Sequence, residues 1–368
     1  MAYSRYIFPY SEQCLCYNRG YIMSSLISNK TDFFGLDIGT STIRLVQLQS
    51  GTNPKVLVKY AYVPVDAKIT LSESKADQQK LAKTIAQLIS QANVSTKEVA
   101  VGIPSNRVFT TVADVDRISS GELAKAITYQ ADSLIPTPLS ESKIDWALIG
   151  DSPVDKTKQE ILLSSVANKF VEDKLDMLES IGLNVIAFEP DNLAMARALS
   201  VPDIAAQLLL DVGRVSTDLV VVLNGVPHLT RSIPTGVEAI VRSASQNLNI
   251  DEKQAEQFVF KFGLSKDKLE GQVFQAINNT IDLLTVEIDK SIKFFQTRYN
   301  NTKIESIVVT GGASVIPEFP LYLANKFGLN VEIGNAWRYV SYNRERQNEL
   351  MALSNQFGVA VGLAERTE

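Results

Sequence analysis

The stretch that decides the fold is Phe33–Gln49, FFGLDIGTSTIRLVQLQ. An apolar run breaks at Asp37 into Gly39 and the hydroxyls Thr40, Ser41 and Thr42, then resumes as a second apolar run. A turn that only reverses the chain needs one or two small or polar residues. This one carries five, with an acid at its head.

The pattern returns 174 residues later, from Asp37 to Asp211. LDIGTSTIRLVQLQSG (Leu36–Gly51) and LDVGRVSTDLVVVLNG (Leu210–Gly225) share an apolar strand, an Asp-apolar-Gly step, a hydroxyl-bearing turn and a returning strand. This internal repeat predicts two lobes of similar topology. At such a turn a glycine lets main-chain N–H groups converge on an anion, and Thr40, Ser41 and Thr42 add hydroxyl donors. Asp37 would repel a bare phosphate. It becomes useful when Mg²⁺, a hard cation that wants oxygen ligands and keeps several waters, lies between them. A third turn, VVTGG (Val308–Gly312), has paired glycines against which a ribose or ring can lie. Together the three predict a nucleotide clamped between lobes.

The 368 residues exceed one usual core, so two units of about 150 to 200 residues are expected. With 45% hydrophobic and 21% charged residues the chain has an ordinary globular composition. A net charge of −5 without a basic block argues against nucleic acid as the main partner. Cys14 and Cys16 offer no disulfide framework, which fits a reducing, cytoplasmic compartment. His228, the one histidine, cannot complete a four-ligand zinc site with them and reads as a strand-edge residue after a turn. No apolar run reaches the ~18 residues that cross a bilayer. Residues 1–30 read as a loose tail, and Met23 is a candidate true start.

Along the chain the pattern predicts a βββαβ opening, with strands through Lys55–Val65 and Val99–Asn106 and a helix near Asp77–Gln91. A self-contained βαββα insert follows over 110–185. A short helix Asp191–Leu199, the second hairpin, helices near 235–248, 251–262 and 271–299, a buried strand before Gly311 and a closing apolar helix Glu349–Ala364 complete it.

These motifs resemble the actin-like ATPase superfamily and, within it, the PilM family of type IV pilus assembly, relatives of FtsA. The resemblance covers about Asp32–Leu363. GLDIGTSTIRLVQL is similar to the first phosphate motif, LLLDVGRVSTDLVVV to the second and IVVTGGASVIPEF to the adenosine motif. ITYQADSLIPTPLSESKIDWALIG and FEPDNLAMARAL resemble PilM segments. The fold this implies is α/β: a two-lobed actin-like ATPase with duplicated RNase H-like lobes and an inserted βαββα subdomain. The first lobe would take 31–109, 186–205 and 349–368, the insert 110–185 and the second lobe 206–348.

The resemblance implies ATP and Mg²⁺ as cofactors. Asp37 and Asp211 would hold the metal through water. Gly39, Thr40, Ser41 and Arg44 would face the β- and γ-phosphates, with Gly213, Ser216 and Thr217 serving the second loop. Glu189 would orient the attacking water; its plainer reading is a helix amino-terminal acid favoured by the dipole. Gly236, Gly311, Gly312 and Ala313 would frame ribose and adenine, and Glu256 would contact ribose. The family's lysine three residues after that glutamate is Val259 here, which leaves Lys261 to compensate and points to slow or absent hydrolysis.

The partner implied is the amino-terminal cytoplasmic peptide of PilN, with PilO reached indirectly and self-association left open. The protein would then sit at the inner face of the cell membrane through its partner. The strands RVFTTVADV and KIDWALIG would form the peptide groove, with Trp146 and Ile135 as apolar anchors or else as ordinary subdomain core. Two rival readings are an FtsA-like filament scaffold, against which the ending VGLAERTE argues because it carries no amphipathic tether, and a small-molecule kinase, for which no acceptor base is evident.

Overall fold

The computed structural model describes residues 32–118, 120–300 and 302–367. The expected tail over 1–30, the start at Met23 and both cysteines lie outside the described residues. The chain divides into two compact units. One comprises the chain up to Ala194 with Tyr339–Arg344 and the chain from Val359; the other comprises Met195–Arg338 and Glu345–Gly358. The expected lobe boundaries at 205 and 348 differ from this division, which places 195–205 and 349–358 with the second unit.

In the first unit the strands are β1 (Phe34–Ile38), β2 (Thr42–Leu48), β3 (Lys55–Pro64), β4 (Glu98–Ile103), β5 (Val108–Asp116), β6 (Ser142–Asp151), β7 (Lys158–Ala167) and β8 (Asn184–Pro190). The main sheet runs β3-β2-β1-β4-β8, with the short strand Val340–Ser341 added beside β3. β1, β2 and β3 are antiparallel neighbours, whereas β4 and β8 join in parallel. The parallel centre explains why β4 reads EVAVGI: both of its faces are covered, so the polar alternation of a half-exposed strand disappears.

The helix Lys75–Ala92 covers this sheet through Leu81, Ala82, Ile85 and Leu88, the spacing of one helical face. Its start is set by the Ser74 side chain, which accepts from the Asp77 N–H, and its end by Asn93 in the left-handed region.

The second unit repeats the plan. Its strands are β9 (Ala206–Val212), β10 (Thr217–Leu223), β11 (Val226–Ile233), β12 (Ser306–Thr310) and β13 (Asn330–Ile333), in the order β11-β10-β9-β12-β13. The pairing senses match the first sheet one for one, antiparallel across β9–β11 and parallel through β12 and β13. The internal repeat therefore extends from the hairpins to both sheets. The long helix Gln272–Arg298 buries Ile277, Ile281, Leu284, Ile288 and Phe295 in the core of this unit.

β5, β7 and β6 form a separate three-stranded sheet, and helix Ser120–Leu134 supplies Leu123, Ile127 and Ala131 to its core. The element order β, α, β, β, α stands. The last helix, Asn168–Glu179, nevertheless lends Val171, Met177 and Leu178 to the core of the main sheet, so the insert's own core is closed by βαββ alone.

The expected closing helix Glu349–Ala364 is two helices, Gln347–Leu353 and Gly358–Ala364, which belong to different units. The break falls at Asn355, whose carbonyl accepts from the Gly311 N–H at 2.9 Å and from the Thr310 hydroxyl at 2.6 Å. A carbonyl so engaged is not available to continue a helical ladder. Among the described residues no helix is long and apolar enough to cross a membrane.

Candidate nucleotide-binding elements

β1 and β2 meet in register with Asp37 opposite Arg44 and Ile38 opposite Ile43. The Gly39 N–H donates to the Thr42 carbonyl at 3.1 Å and closes a short turn that presents Thr40 and Ser41. β9 and β10 do the same: Asp211 stands opposite Asp218, and the Gly213 N–H donates to the Ser216 carbonyl at 2.9 Å. The two hairpins are thus equivalent down to the closing hydrogen bond. They differ at the cross-strand partner, a cation in the first and an acid in the second.

Asp37 is buried, and burial pushes its carboxyl up while the Arg44 guanidinium, 3.2 Å away, pulls it back. Arg44 Nε is itself buried with no hydrogen-bond partner. A desolvated carboxylate beside an unused guanidinium N–H suits a divalent cation and the oxyanion it carries. Among the described residues no cluster of three or more His, Cys, Asp or Glu could hold a metal ion. Mg²⁺ at Asp37 or Asp211 would therefore rely on water and phosphate oxygens, as this ion usually does. Asp37 lies in the first unit and Asp211 in the second.

In the second unit the expected glycines come together. Gly311 has φ +78°, and a Cβ there would fall 2.1 Å from Asp211 Oδ1, so the glycine-pair turn rests directly against the second hairpin. At Gly236 a Cβ would meet the Gly213 and Arg214 carbonyls at 2.6 Å. Those carbonyls accept from the Val237 and Glu238 N–H groups, both at 2.9 Å. The first amides of helix Val237–Leu248 are thereby used internally, not held ready for phosphate.

Two residues that the sequence reading left out complete this half. Arg214, inside the second hairpin, donates to Glu256 on helix Glu252–Phe262. It places a cation beside the expected ribose-contacting glutamate, where Val259 is buried in the core. A cation within the motif loop was the available signal. Lys261 does not take that role: it is exposed and lies over the Phe262 ring, 5.4 Å from its centroid. Asn355 fixes the glycine-pair turn, its Nδ2 donating to Ser314 Oγ at 2.7 Å; a lone asparagine in a helical pattern carried no signal for it.

Several expected roles do not fit where the structure places the side chains. Thr217 is fully buried and its hydroxyl donates to the Thr235 carbonyl at 2.7 Å, so it braces the hairpin instead of facing a ligand. Ala313 sits in the core of the second unit, which leaves Gly311 and the exposed Gly312 to offer the surface of that turn. Ile135 is part of the insert's core, and Trp146 is half-buried against it. His228 has its expected bland role: Nδ1 lies 2.8 Å from the Val226 carbonyl, the ring meets Tyr299 edge-on, and burial pushes its pKa down.

Glu189 is the largest departure. It is 1% exposed and forms an ion pair with Arg366 at 3.0 Å, itself 6% exposed. A carboxylate so enclosed is not presented to an attacking water. The pair instead ties the carboxy-terminal segment to the end of β8, and Lys55 adds to this by donating to the Ala364 and Arg366 carbonyls, both at 3.1 Å.

Asp145 on β6 also feels Arg366. Burial pushes its carboxyl up to about 7, against the Trp146 N–H at 2.7 Å and the Arg366 charge. An acid whose folded pKa lies above its ordinary 3.8 binds more protons folded than unfolded. Its contribution to stability is therefore complete below that ordinary value and lost as pH rises through about 7. Asp145→Asn is expected to flatten the loss of unfolding free energy between about pH 5 and about pH 8, measured by urea titration at both pH values. Equal slopes in wild type and variant would refute it.

A family model described as type IV pilus assembly protein PilM matches residues 35–368. Among solved structures, the PilM-PilN type IV pilus biogenesis complex is similar at 24% identity and a TM-score of 0.77, covering 91% of this chain and 98% of that one. Ethanolamine utilization protein EutJ from Carboxydothermus hydrogenoformans is similar at 14% identity and TM-score 0.53, covering 90% and 88%. MreB 5 of Spiroplasma citri, solved bound to AMPPNP, is similar at 12% and 0.51, covering 91% and 95%. At these identities the structural matches speak for the fold, which is actin-like, and the family model speaks for descent. The chain belongs to the type IV pilus assembly protein PilM family.

Proposed function

We propose that this member of the pilus assembly apparatus is an ATP-binding adaptor that grips the amino-terminal peptide of PilN. The observation that carries the nucleotide half is the pair of Asp-x-Gly hairpins, each closed by the same glycine N–H bond at the same place in its sheet, with Gly311 seated against Asp211. Asp37 and Asp211 would take Mg²⁺ through water, and Gly39, Thr40, Ser41 and Arg44 would receive phosphate oxygens. Gly213, Ser216, Gly236, Gly311, Gly312 and Glu256 would serve the rest of the nucleotide. Bound Mg²⁺ would supply charge neutralisation for the phosphates. Hydrolysis would be slow, because Glu189 is committed to Arg366.

The PilN half is supported by the PilM-PilN complex to which the chain is similar. The peptide would dock on the inserted subdomain by apolar contacts and strand addition. It would hold the protein at the inner face of the membrane through its partner.

The test is calorimetric titration of the full chain with a peptide copying the first dozen or so residues of PilN, with and without Mg-ATP, in wild type and Asp37→Asn. Nucleotide-dependent peptide binding that the variant weakens at least tenfold is expected, in line with loss of a charge-assisted contact. Peptide binding indifferent to nucleotide, with no heat of Mg-ATP binding, would overturn the nucleotide half. Nucleotide binding without peptide binding would overturn the adaptor half.

A further inference from the structure

A cavity of about 470 Å³ opens in the first unit between helices Lys75–Ala92 and Asn168–Glu179, and no residue of the Asp37 turn lines it. Leu71, Ala82, Phe170 and Met177 make its apolar lining, Lys174 is its half-buried cation and the exposed Arg107 stands at its rim. Both cations address one ring. The Arg107 Cζ lies 5.6 Å and the Lys174 Nζ 5.9 Å from the Phe170 centroid.

Like charges gathered at one ring repel each other, and a further negative group between them would relieve that repulsion. Lys174 hydrogen-bonds the neutral amide oxygen of Gln78 at 3.3 Å, not a carboxylate. Burial, and next the Arg107 charge, push its ammonium pKa down. Of the acids that line the cavity, Glu73 meets Arg107 at 3.5 Å, Asp173 meets Lys169 at 2.6 Å and Asp176 is exposed. Both pairs are exposed, so each is weak and exchangeable. A lysine that merely snorkelled would keep its head in water and its stem on the protein; this one turns its head toward a half-buried glutamine.

We propose that this cavity binds an oxyanion, a carboxylate or phosphate group, carried on a small apolar body. The volume falls within the range of small-ligand sites, and an apolar wall with a few convergent polar groups is their usual chemistry. Lys174 would supply the point charge, Arg107 the planar fork and Phe170 the surface for the apolar part. None of the proposed nucleotide-binding residues takes part, so the two readings stand or fall separately.

The test titrates the full chain with phenyl phosphate and with octanoate by calorimetry, comparing wild type, Lys174→Met, Arg107→Gln and Asp37→Asn. The Lys174 ammonium is followed by NMR. Both probes are expected to bind wild type and Asp37→Asn alike, about tenfold weaker to Lys174→Met or Arg107→Gln, and to raise the ammonium pKa when bound. Lys174→Met removes a desolvated charge and should fold; thermal unfolding checks this, and Arg107→Gln carries the comparison otherwise.

Co-sedimentation with phosphatidylglycerol vesicles, set against neutral phosphatidylcholine ones, separates the sources. Vesicle binding lost in Lys174→Met assigns the oxyanion to a lipid headgroup, and probe binding without vesicle binding assigns it to a free small molecule. Equal binding by wild type, Lys174→Met and Arg107→Gln, or binding lost only in Asp37→Asn, overturns the proposal. So does the absence of binding by both probes and the vesicles.

Discussion

Arg366→Met is expected to lower the unfolding free energy by about 3–5 kcal/mol, because it takes the guanidinium at 3.0 Å away from the buried Glu189 carboxylate. Glu189 is 1% exposed, so water cannot replace the lost guanidinium at its 3.0 Å distance. The double variant Arg366→Met, Glu189→Gln should recover most of the loss, since removing both charges also removes their desolvation cost. Urea unfolding of the two single variants, the double variant and wild type forms a cycle that isolates the pair. A single variant as stable as wild type would refute the buried-pair account, and a double variant no better than Arg366→Met would show that packing by the arginine stem dominates. Either way Glu189 is tested as a fastening of the carboxy-terminal segment, separately from any role in hydrolysis.

Gly311→Ala is the second large effect. A methyl at φ +78° is strained in itself, and here its Cβ would lie 2.1 Å from Asp211 Oδ1 and 2.7 Å from the Val212 carbonyl oxygen. The turn or the β9 end must shift, at a cost of about 2–3 kcal/mol. Mg-ATP affinity should fall with it, since Asp211 is displaced. Gly312→Ala is the control: its Cβ would find Val237 Cγ2 at 3.4 Å and nothing closer, an ordinary contact. Thermal unfolding and nucleotide titration of the two variants should separate them clearly. Similar behaviour in both would refute the claim that Gly311 is required for its close approach to Asp211.

The fold was legible because its signals are local. The Asp-Gly hairpins, the buried strand Glu98–Ile103 and the helix Lys75–Ala92 each announce themselves through residues a few places apart, and the 174-residue repeat links two such local patterns. The observed sheets confirm this in strand order and sense.

The site was legible only as a set of turns. Which side chains those turns leave available depends on partners 42 residues apart for Arg214 and Glu256, 41 for Asn355 and Ser314, and 177 for Glu189 and Arg366. No periodicity or spacing rule encodes such pairings. Sequence by itself determined that this protein has duplicated lobes, a βαββα insert and three glycine-bearing turns, because backbone propensity and apolar period act over a few residues. Tertiary structure alone decided that Thr217 and Ala313 turn inward, that the last helix breaks at Asn355 and that Glu189 pairs with Arg366. Burial and the satisfaction of polar groups are settled by what the whole unit brings into contact.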